Sequence, residues 1–166
     1  MKGSGDTASS TAKIKIIVAD LRMKQHEEAF LSLTAGYMAD NMGDGKPWTI
    51  DQKRKVIEDL NKHPACMILL ASNEKEYVGV CTCFYGYSTF LASGLYNIHD
   101  IYVRPEYRGM GIGRKLLQEV ARIGKKKGAG KLTLEVRVDN FTAKNLYRKE
   151  GYRDADPAML FWSKYI

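Results

Sequence analysis

A glycine-rich turn between a strand pattern and a helix pattern constrains the fold more than any other feature of the sequence. Residues 104–114 read RPEYRGMGIGR, with glycines at positions 109, 111 and 113. A predicted strand, Leu95 to Val103, precedes the turn, and apolar residues at helical spacing follow it from Ile112. Because glycine has no Cβ, backbone N–H groups can converge on an anion at the positive end of the helix dipole. The turn therefore predicts a site that fits a pyrophosphate.

The spacing of the glycines excludes two better-known phosphate loops. A dinucleotide fingerprint needs G-x-G-x-x-G, but the sixth position counted from Gly109 is Arg114. A P-loop needs Gly-Lys followed by Ser or Thr, and the sequence has no such tripeptide. With Arg108 leading, the turn instead matches [Q/R]-x-x-G-x-[G/A]. The alternative interpretation is a tight turn that uses glycine for its positive φ alone.

The remaining patterns predict one mixed α/β domain over Lys13–Ile166, in the order β-α-α-β-β-β-α-β-α-β. Residues 1–12, MKGSGDTASSTA, have almost nothing to bury, and we interpret them as a disordered tail or a remnant of cloning. The third helix joins two strands of one sheet, which predicts a parallel crossover. The predicted strands are Lys13 to Ala19, Cys66 to Ala71, Tyr77 to Tyr87, Leu95 to Val103, Leu132 to Val138 and Met159 to Tyr165.

Helix signals separate these strands. Asp20 is the expected N-cap of the first helix, and Thr49 with Gln52 forms a predicted capping box for the second. Asn140 is the expected cap of a short fourth helix that ends with Gly151 at the left-handed C′ position. The inward face of the second helix is predicted to carry Ile50, Val56, Ile57 and Leu60.

Composition narrows the class of protein. The 166 residues carry a net charge of +7, and 45% of them are hydrophobic, which is ordinary for a globular domain. No apolar run reaches the ~18 residues of a membrane span. Three cysteines without a secretory signal predict free thiols in the cytoplasm. No second pair of ligands lies at metal-binding spacing, so we expect no metal site.

Two segments together resemble the GNAT superfamily of N-acetyltransferases. They are Asn97 to Leu117, NIHDIYVRPEYRGMGIGRKLL, and Leu134 to Tyr152, LEVRVDNFTAKNLYRKEGY. The resemblance covers nearly all of Lys13–Ile166. Tyr85 to Gly113 is most similar to the diamine and thialysine acetyltransferases. The resemblance implies an enzyme that moves the acetyl group of acetyl-CoA to a primary amine of a small molecule by direct attack.

The resemblance also implies which residues bind acetyl-CoA. Backbone groups of the strand before the turn would pair with the pantetheine arm, at a point where the family's sheet splays apart. The turn would wrap the pyrophosphate, and residues of the second segment would bind the pantetheine side. The cofactor-binding residues expected on this basis are Ile101, Tyr102, Val103, Arg108, Gly109, Met110, Gly111, Ile112, Gly113, Arg114, Asn140, Asn145 and Tyr147.

Two residues are candidates for proton transfer. Tyr147 is the expected general acid for the departing thiolate, by resemblance to the family tyrosine in L-Y-x-x-x-G-Y; the alternative is a core aromatic. His99 is the candidate base, because histidine titrates near neutral pH. The alternative interpretation is that His99 is a hydrogen-bonded strand residue that lines the pocket. Diamine-type enzymes have glutamate there, so His99 puts a polyamine substrate in doubt. Asp100, expected on the opposite face, is interpreted as structural.

The amine acceptor is left open by the sequence. The expected substrate-binding residues are Tyr37, Trp48, Tyr85, Tyr87 and His99, whereas Asp40 and Asp44 are interpreted as turn formers. A protein or peptide N-acetyltransferase and a non-catalytic acyl-CoA-binding protein are the alternatives. Homodimerisation is possible, while membrane and nucleic-acid partners are not expected. The basic cluster that would suggest nucleic acid also complements a helix C-terminus; it comprises Arg122, Lys125, Lys126, Lys127 and Lys131.

Overall fold

The computed structural model describes residues 13–43 and 45–166. The predictions for residues 1–12 and for Asp44 therefore lie outside the described residues. By packing, the chain divides into two compact units: the first ends at Leu134 and the second runs from Glu135 to Ile166. Among the described residues, no helix is both long enough and apolar enough to cross a bilayer.

A five-stranded mixed sheet forms the first unit. Its order is β1-β2-β3-β4-β5, and every neighbouring pair is antiparallel except the parallel pair of β4 and β5. A single 3₁₀ turn, Pro105–Tyr107, follows β4. The elements of this unit are β1 (Lys15–Val18), α1 (Lys24–Met38), α2 (Ile50–Lys62), β2 (Cys66–Ser72), β3 (Tyr77–Ser88), β4 (Ser93–Val103), α3 (Ile112–Lys126) and β5 (Lys131–Leu134). The second unit contains α4 (Phe141–Lys149).

The helices of the first unit cover the two faces of its sheet. On one face, which we call the α1/α2 face, Phe30, Leu33 and Ile57 pack with Val80 and Tyr102 of the strands. The other face, the α3 face, packs against the buried stripe of α3. A Cβ placed on Gly124 of that helix would be in van der Waals contact with the side chains of Tyr96 and Leu132. The predicted parallel crossover is confirmed, and β4 is held from both sides.

Two helix predictions are wrong at single residues. Asp20 does not cap α1, whose N-cap is Met23, because the Asp20 carboxylate accepts hydrogen bonds from the backbone and the guanidinium of Arg22. Ile50 is not part of the inward face of α2: it is the first residue of the helix, and its side chain is 86% exposed. Ile57 is buried, and Val56 and Leu60 pack against the same core, as predicted.

Two strand predictions also fail. The strand predicted over Leu132 to Val138 ends at Leu134, where its ladder with β4 ends at the pair Ile98 and Leu134. Val138 is exposed, so the strict alternation of apolar residues does not mark a continuous buried face. The strand predicted over Met159 to Tyr165 has no regular secondary structure and no ladder partner in the described residues.

The capping box of α2 is confirmed atom by atom. The Gln52 backbone N–H donates to Thr49 Oγ1 at 3.2 Å, and the Thr49 N–H donates to Gln52 Oε1 at 2.9 Å. We predict that Thr49→Ala lowers the free energy of unfolding by about 1 kcal/mol, because the first turn of α2 loses its cap. Urea denaturation measures this. Thr142→Ala, an exposed site inside α4, is the control, and an equal loss in both variants would contradict the prediction.

Candidate functional site

The glycine turn is built as the sequence predicts. Gly109 and Gly111 have φ of 78° and 76°, a backbone conformation that residues with a Cβ rarely adopt. Gly111 is the N-cap of α3, and in the described residues no side chain caps this helix and no acidic residue lies in its first turn. A Cβ placed on either glycine would meet nothing within 4 Å. Open space therefore faces an uncapped, positively polarised helix N-terminus, which suits an anion.

Arg108, expected to contribute to this turn, directs its guanidinium away from it. Its Nε donates to the Val103 carbonyl at 3.0 Å, and its Nη2 donates to the Asp40 carboxylate. The guanidinium carbon lies 5.5 Å from the ring centroid of Tyr102. The Asp40 pKa lies below its usual range, chiefly because of the hydrogen bond from Arg108. The structure thus joins the turn to the segment that follows α1.

Strand β4 extends beyond its parallel partner. The ladder with β5 covers Leu95 to Ile98, so residues 99–103 have no partner on that side in the described residues, and residues 100–103 pair with β3 alone. The Arg104 N–H donates to the Val78 carbonyl at 2.9 Å. Because antiparallel residues alternate between bonded and non-bonded pairs, Tyr102 directs its backbone groups at β3, while Ile101 and Val103 direct theirs at the open edge. Of the three expected backbone contacts, Ile101 can therefore offer both its N–H and its carbonyl to a ligand, and Val103 its N–H, since the Val103 carbonyl already accepts from Arg108.

A β-bulge lies at His99. Thr82 pairs with Asp100 and Cys83 with Ile98, which leaves His99 without a partner on β3. The His99 ring is exposed and contacts the ring of Phe84, with centroids 5.6 Å apart and an edge-to-face orientation. Phe84 in turn contacts His63 at the end of α2, with centroids 5.1 Å apart. The bulge thus presents His99 beside the aromatic cluster at the end of α2.

Asp100, the next residue, is partly buried. Burial raises the pKa of its carboxyl above the ordinary value, and the positive charge of His99 acts in the opposite direction. Sequence reasoning assigned Asp100 a structural role, and nothing in the local pattern identifies it as a group with a raised pKa. Its position opposite Thr82, which is buried on β3, supplies the burial that the sequence does not reveal.

Two of the acceptor candidates lie on the α1/α2 face. The rings of Tyr37 and Tyr102 have centroids 5.9 Å apart, which places Tyr37 next to the end of β4. Trp48 packs on the core beside Phe30, with ring centroids 6.4 Å apart. Asp40 lies between these two aromatic residues in the sequence. Its carboxylate accepts from the Met42 N–H in the predicted turn and also binds Arg108. The structure thus groups Tyr37 with the residues around the glycine turn.

The other two acceptor candidates, Tyr85 and Tyr87, lie elsewhere. Tyr85 pairs with Tyr96, about 23 Å along β4 from Val103 at ~3.3 Å per residue. The Tyr85 ring contacts the Tyr96 ring and lies on the α3 face, whereas Phe84 and His99 contact each other on the opposite face. A cavity of about 380 Å³ opens here, lined by Pro64, Ala65, Cys66, Met67, Tyr85, Tyr96 and Lys127. The structure therefore does not bring Tyr85 or Tyr87 to the glycine turn.

The remaining expected residues belong to the second unit. The Asn140 side chain accepts from the Ala143 N–H at 3.1 Å and caps α4, as predicted. Asn145 is exposed on the same helix. Tyr147 is buried, and its ring centroid lies 5.9 Å from that of Tyr152. Gly151 follows the helix with φ of 86°, which confirms the left-handed C′ position.

Comparisons with known proteins place this geometry in a family. A family model described as "Acetyltransferase (GNAT) family" matches residues 26–152. Thialysine N-epsilon-acetyltransferase of Bos taurus is 41% identical over 81 residues, which are 49% of this chain and 47% of that protein. The chain thus matches about half the length of this relative.

Longer matches are more distant. A putative [ribosomal protein bS18]-alanine N-acetyltransferase of Bacillus subtilis (strain 168) is 27% identical over 139 residues, 84% of this chain and 82% of that protein. The solved structure of an aminoglycoside N-acetyltransferase in complex with CoA superposes with a TM-score of 0.74 at 17% identity. That match covers 93% of this chain and 97% of the other. At this identity the likeness shows the fold alone.

The raised pKa of Asp100 predicts how stability depends on pH. The folded protein disfavours the charged carboxylate of Asp100. The protonated carboxyl therefore contributes fully to the free energy of unfolding below about pH 3.9, and this contribution is lost as the pH rises through the pKa of the folded state. We expect Asp100→Asn to be more stable than the parent at pH 7, with a difference that narrows below about pH 4. Urea denaturation across this range measures it. Asp59→Asn, on the surface of α2, is the control, and a pH-independent difference would contradict the prediction.

Proposed function

This chain belongs to the acetyltransferase (GNAT) family, and on that basis we propose that it is an acetyl-CoA-dependent N-acetyltransferase acting on a primary amine of a small molecule. The observation that carries the proposal is the junction of β4 with α3. There, the open edge of residues 99–103 leads into a glycine turn at an uncapped helix N-terminus. One arrangement thus supplies an extended backbone edge and a site for an anion.

The residues of this junction fit coenzyme A. The open space in front of Gly109 and Gly111 leaves room for phosphate oxygens near the first N–H groups of α3. Arg114 and Lys115, at the start of the same helix, add positive charge. The backbone groups of Ile101 and the N–H of Val103 on the open edge of β4 would pair with the amides of the pantetheine arm. When bound, acetyl-CoA supplies an activated thioester to the amine.

Proton transfer falls to the chain's own residues. An amine of pKa ~10.4 is neutral in about one molecule in 2,500 at pH 7, a handicap of roughly 4.6 kcal/mol. His99, exposed on the bulge of β4, is the proposed base that accepts the proton of the ammonium group. Tyr147 is the proposed general acid that returns a proton to the thiolate of CoA.

The relatives support an amine as the acceptor, and they include enzymes named for small-molecule and for protein acceptors. The thialysine N-epsilon-acetyltransferase is named for a small-molecule amine. A second candidate is a protein or peptide acceptor, favoured by the longer match to a putative ribosomal protein bS18-alanine N-acetyltransferase. We favour the small molecule because the match to the thialysine enzyme has the higher identity. His99 supplies no fixed negative charge that would attract a polycation, which argues against a polyamine as the acceptor.

The cofactor assignment predicts a difference between two glycines of similar geometry. Gly111 and Gly128 lie at opposite ends of α3, with φ of 76° and 74°, and a Cβ on either would meet nothing within 4 Å. Replacing either by alanine should therefore cost a similar ~1–2 kcal/mol of stability. We expect only Gly111→Ala to weaken CoA binding, by about tenfold or more, because its methyl group enters the anion site. Calorimetric titration measures this, and equal losses in both variants would contradict the site.

The activity itself is tested by release of CoA thiol. The protein is incubated with acetyl-CoA and a panel of diamines, amino acids, aminoglycosides and a lysine peptide. We expect release with at least one small amine, and we expect Tyr147→Phe to lower kcat by about 100-fold or more while CoA affinity is retained. Thiol release with the lysine peptide alone would favour the protein acceptor. CoA binding without release for any acceptor would favour a non-catalytic acyl-CoA-binding protein, and full kcat in Tyr147→Phe would remove this residue as the acid.

A further inference from the structure

One ion pair joins two segments that lie 68 residues apart. Asp40 follows the C-terminus of α1, and Arg108 opens the glycine turn. The Asp40 side chain is only 14% exposed, while that of Arg108 is 47% exposed. The Asp40 carboxylate is therefore partly shielded from solvent, unlike the carboxylates of ordinary surface ion pairs, whose contribution is small.

Each end of this pair is fixed by further contacts. The second oxygen of the Asp40 carboxylate accepts from the Met42 N–H at 3.0 Å, and the Asp40 carbonyl accepts from the Gly43 N–H at 2.8 Å. At the other end, Arg108 donates to the Val103 carbonyl and lies over the ring of Tyr102. The pair thus connects a folded loop start with the end of β4.

The loop between α1 and α2, described over residues 39–43 and 45–49, leads from Asp40 to the acceptor candidate Trp48. Trp48 packs on Phe30 near the loop end, and Tyr37 contacts Tyr102 just before the loop begins. We propose that Asp40 is a positioning residue. Through Arg108 it holds the start of the loop beside the glycine turn, so that binding of CoA in the turn and this position of the loop favour each other. This rests on the proposed function, because it takes CoA as the ligand of the turn.

Coupling of this kind is reciprocal: whatever the held loop contributes to CoA binding, bound CoA contributes to holding the loop at the turn. Arg108 serves here as the link and not as an independent phosphate ligand, since its Nε and Nη2 already donate to Val103 and Asp40. An asparagine at position 40 can still accept from the Met42 N–H, as Asp and Asn do in turns. Asp40→Asn therefore removes the charge while the turn is kept.

The experiment uses Trp48 as the reporter of the loop. The chain has two tryptophans, and the other, Trp162, is exposed, so the Trp162→Phe protein serves as the parent. CoA affinity is measured by calorimetry, and Trp48 emission is measured at saturating CoA. We expect CoA to change the Trp48 emission of the parent. In Asp40→Asn we expect affinity to fall about fivefold or more and most of the emission change to be lost.

Further variants make the result decisive. Asp59→Asn removes the same charge from the exposed pair with Lys55, and it should leave both readouts unchanged. Arg108→Gln should resemble Asp40→Asn, and the double variant should be no worse than either single one, because the two residues act as one link. Additive losses, unchanged readouts or tighter CoA binding in Asp40→Asn would overturn the proposal. If the parent binds CoA without a Trp48 response, this proposal alone fails; if it binds no CoA, the proposed function fails with it.

Discussion

The hydrogen-bonding requirement of the backbone is the constraint on which the site depends. Strand β4 has 11 residues and its parallel partner β5 has four, so the ladder between them ends at Ile98 while β4 continues to Val103. A polar backbone edge of this kind needs partners from water or a ligand. The chain then turns directly into α3, whose first N–H groups have no side-chain cap in the described residues. The strand edge and the helix N-terminus thus stand next to each other in the chain.

Packing on both faces keeps this junction in place. Tyr102 anchors the end of β4 in the α1/α2 core, and Ile112 and Leu116 bury the start of α3 on the opposite face. The buried thiols of Cys81 and Cys83 share the α3 face of β3, with sulfurs 3.6 Å apart. A rigid support of this kind lets an open edge persist without collapsing into further secondary structure, which preorganises it for a ligand.

Locally encoded features were predictable, and features decided by tertiary contacts were not. The capping box of Thr49 and Gln52 and the positive φ of Gly109 follow from neighbouring residues alone. Asp20 failed as a cap because Arg22, two residues away, captures its carboxylate. The ion pair between Asp40 and Arg108 joins residues 68 positions apart, and no spacing in the sequence predicts it. The end of β5 depends on where its ladder with β4 ends, which alternation of apolar residues cannot show.

The net charge of +7 has a local meaning in this structure. Several arginines are neutralised by neighbouring carboxylates, among them Arg22, Arg108 and Arg122. The lysines at the C-terminus of α3 complement the negative end of its dipole. The helix dipole therefore accounts for this lysine cluster without a nucleic acid.

We propose that the glycine turn receives the pyrophosphate of CoA. Amide NMR spectra recorded during a titration with CoA test it most directly, since glycine N–H groups that donate to phosphate shift strongly. We expect large shifts for Gly109, Gly111 and Gly113 and small ones for Gly128, at the other end of the same helix. CoA binding that leaves the turn unshifted, and that instead shifts residues around the cavity lined by Tyr85 and Tyr96, would contradict it.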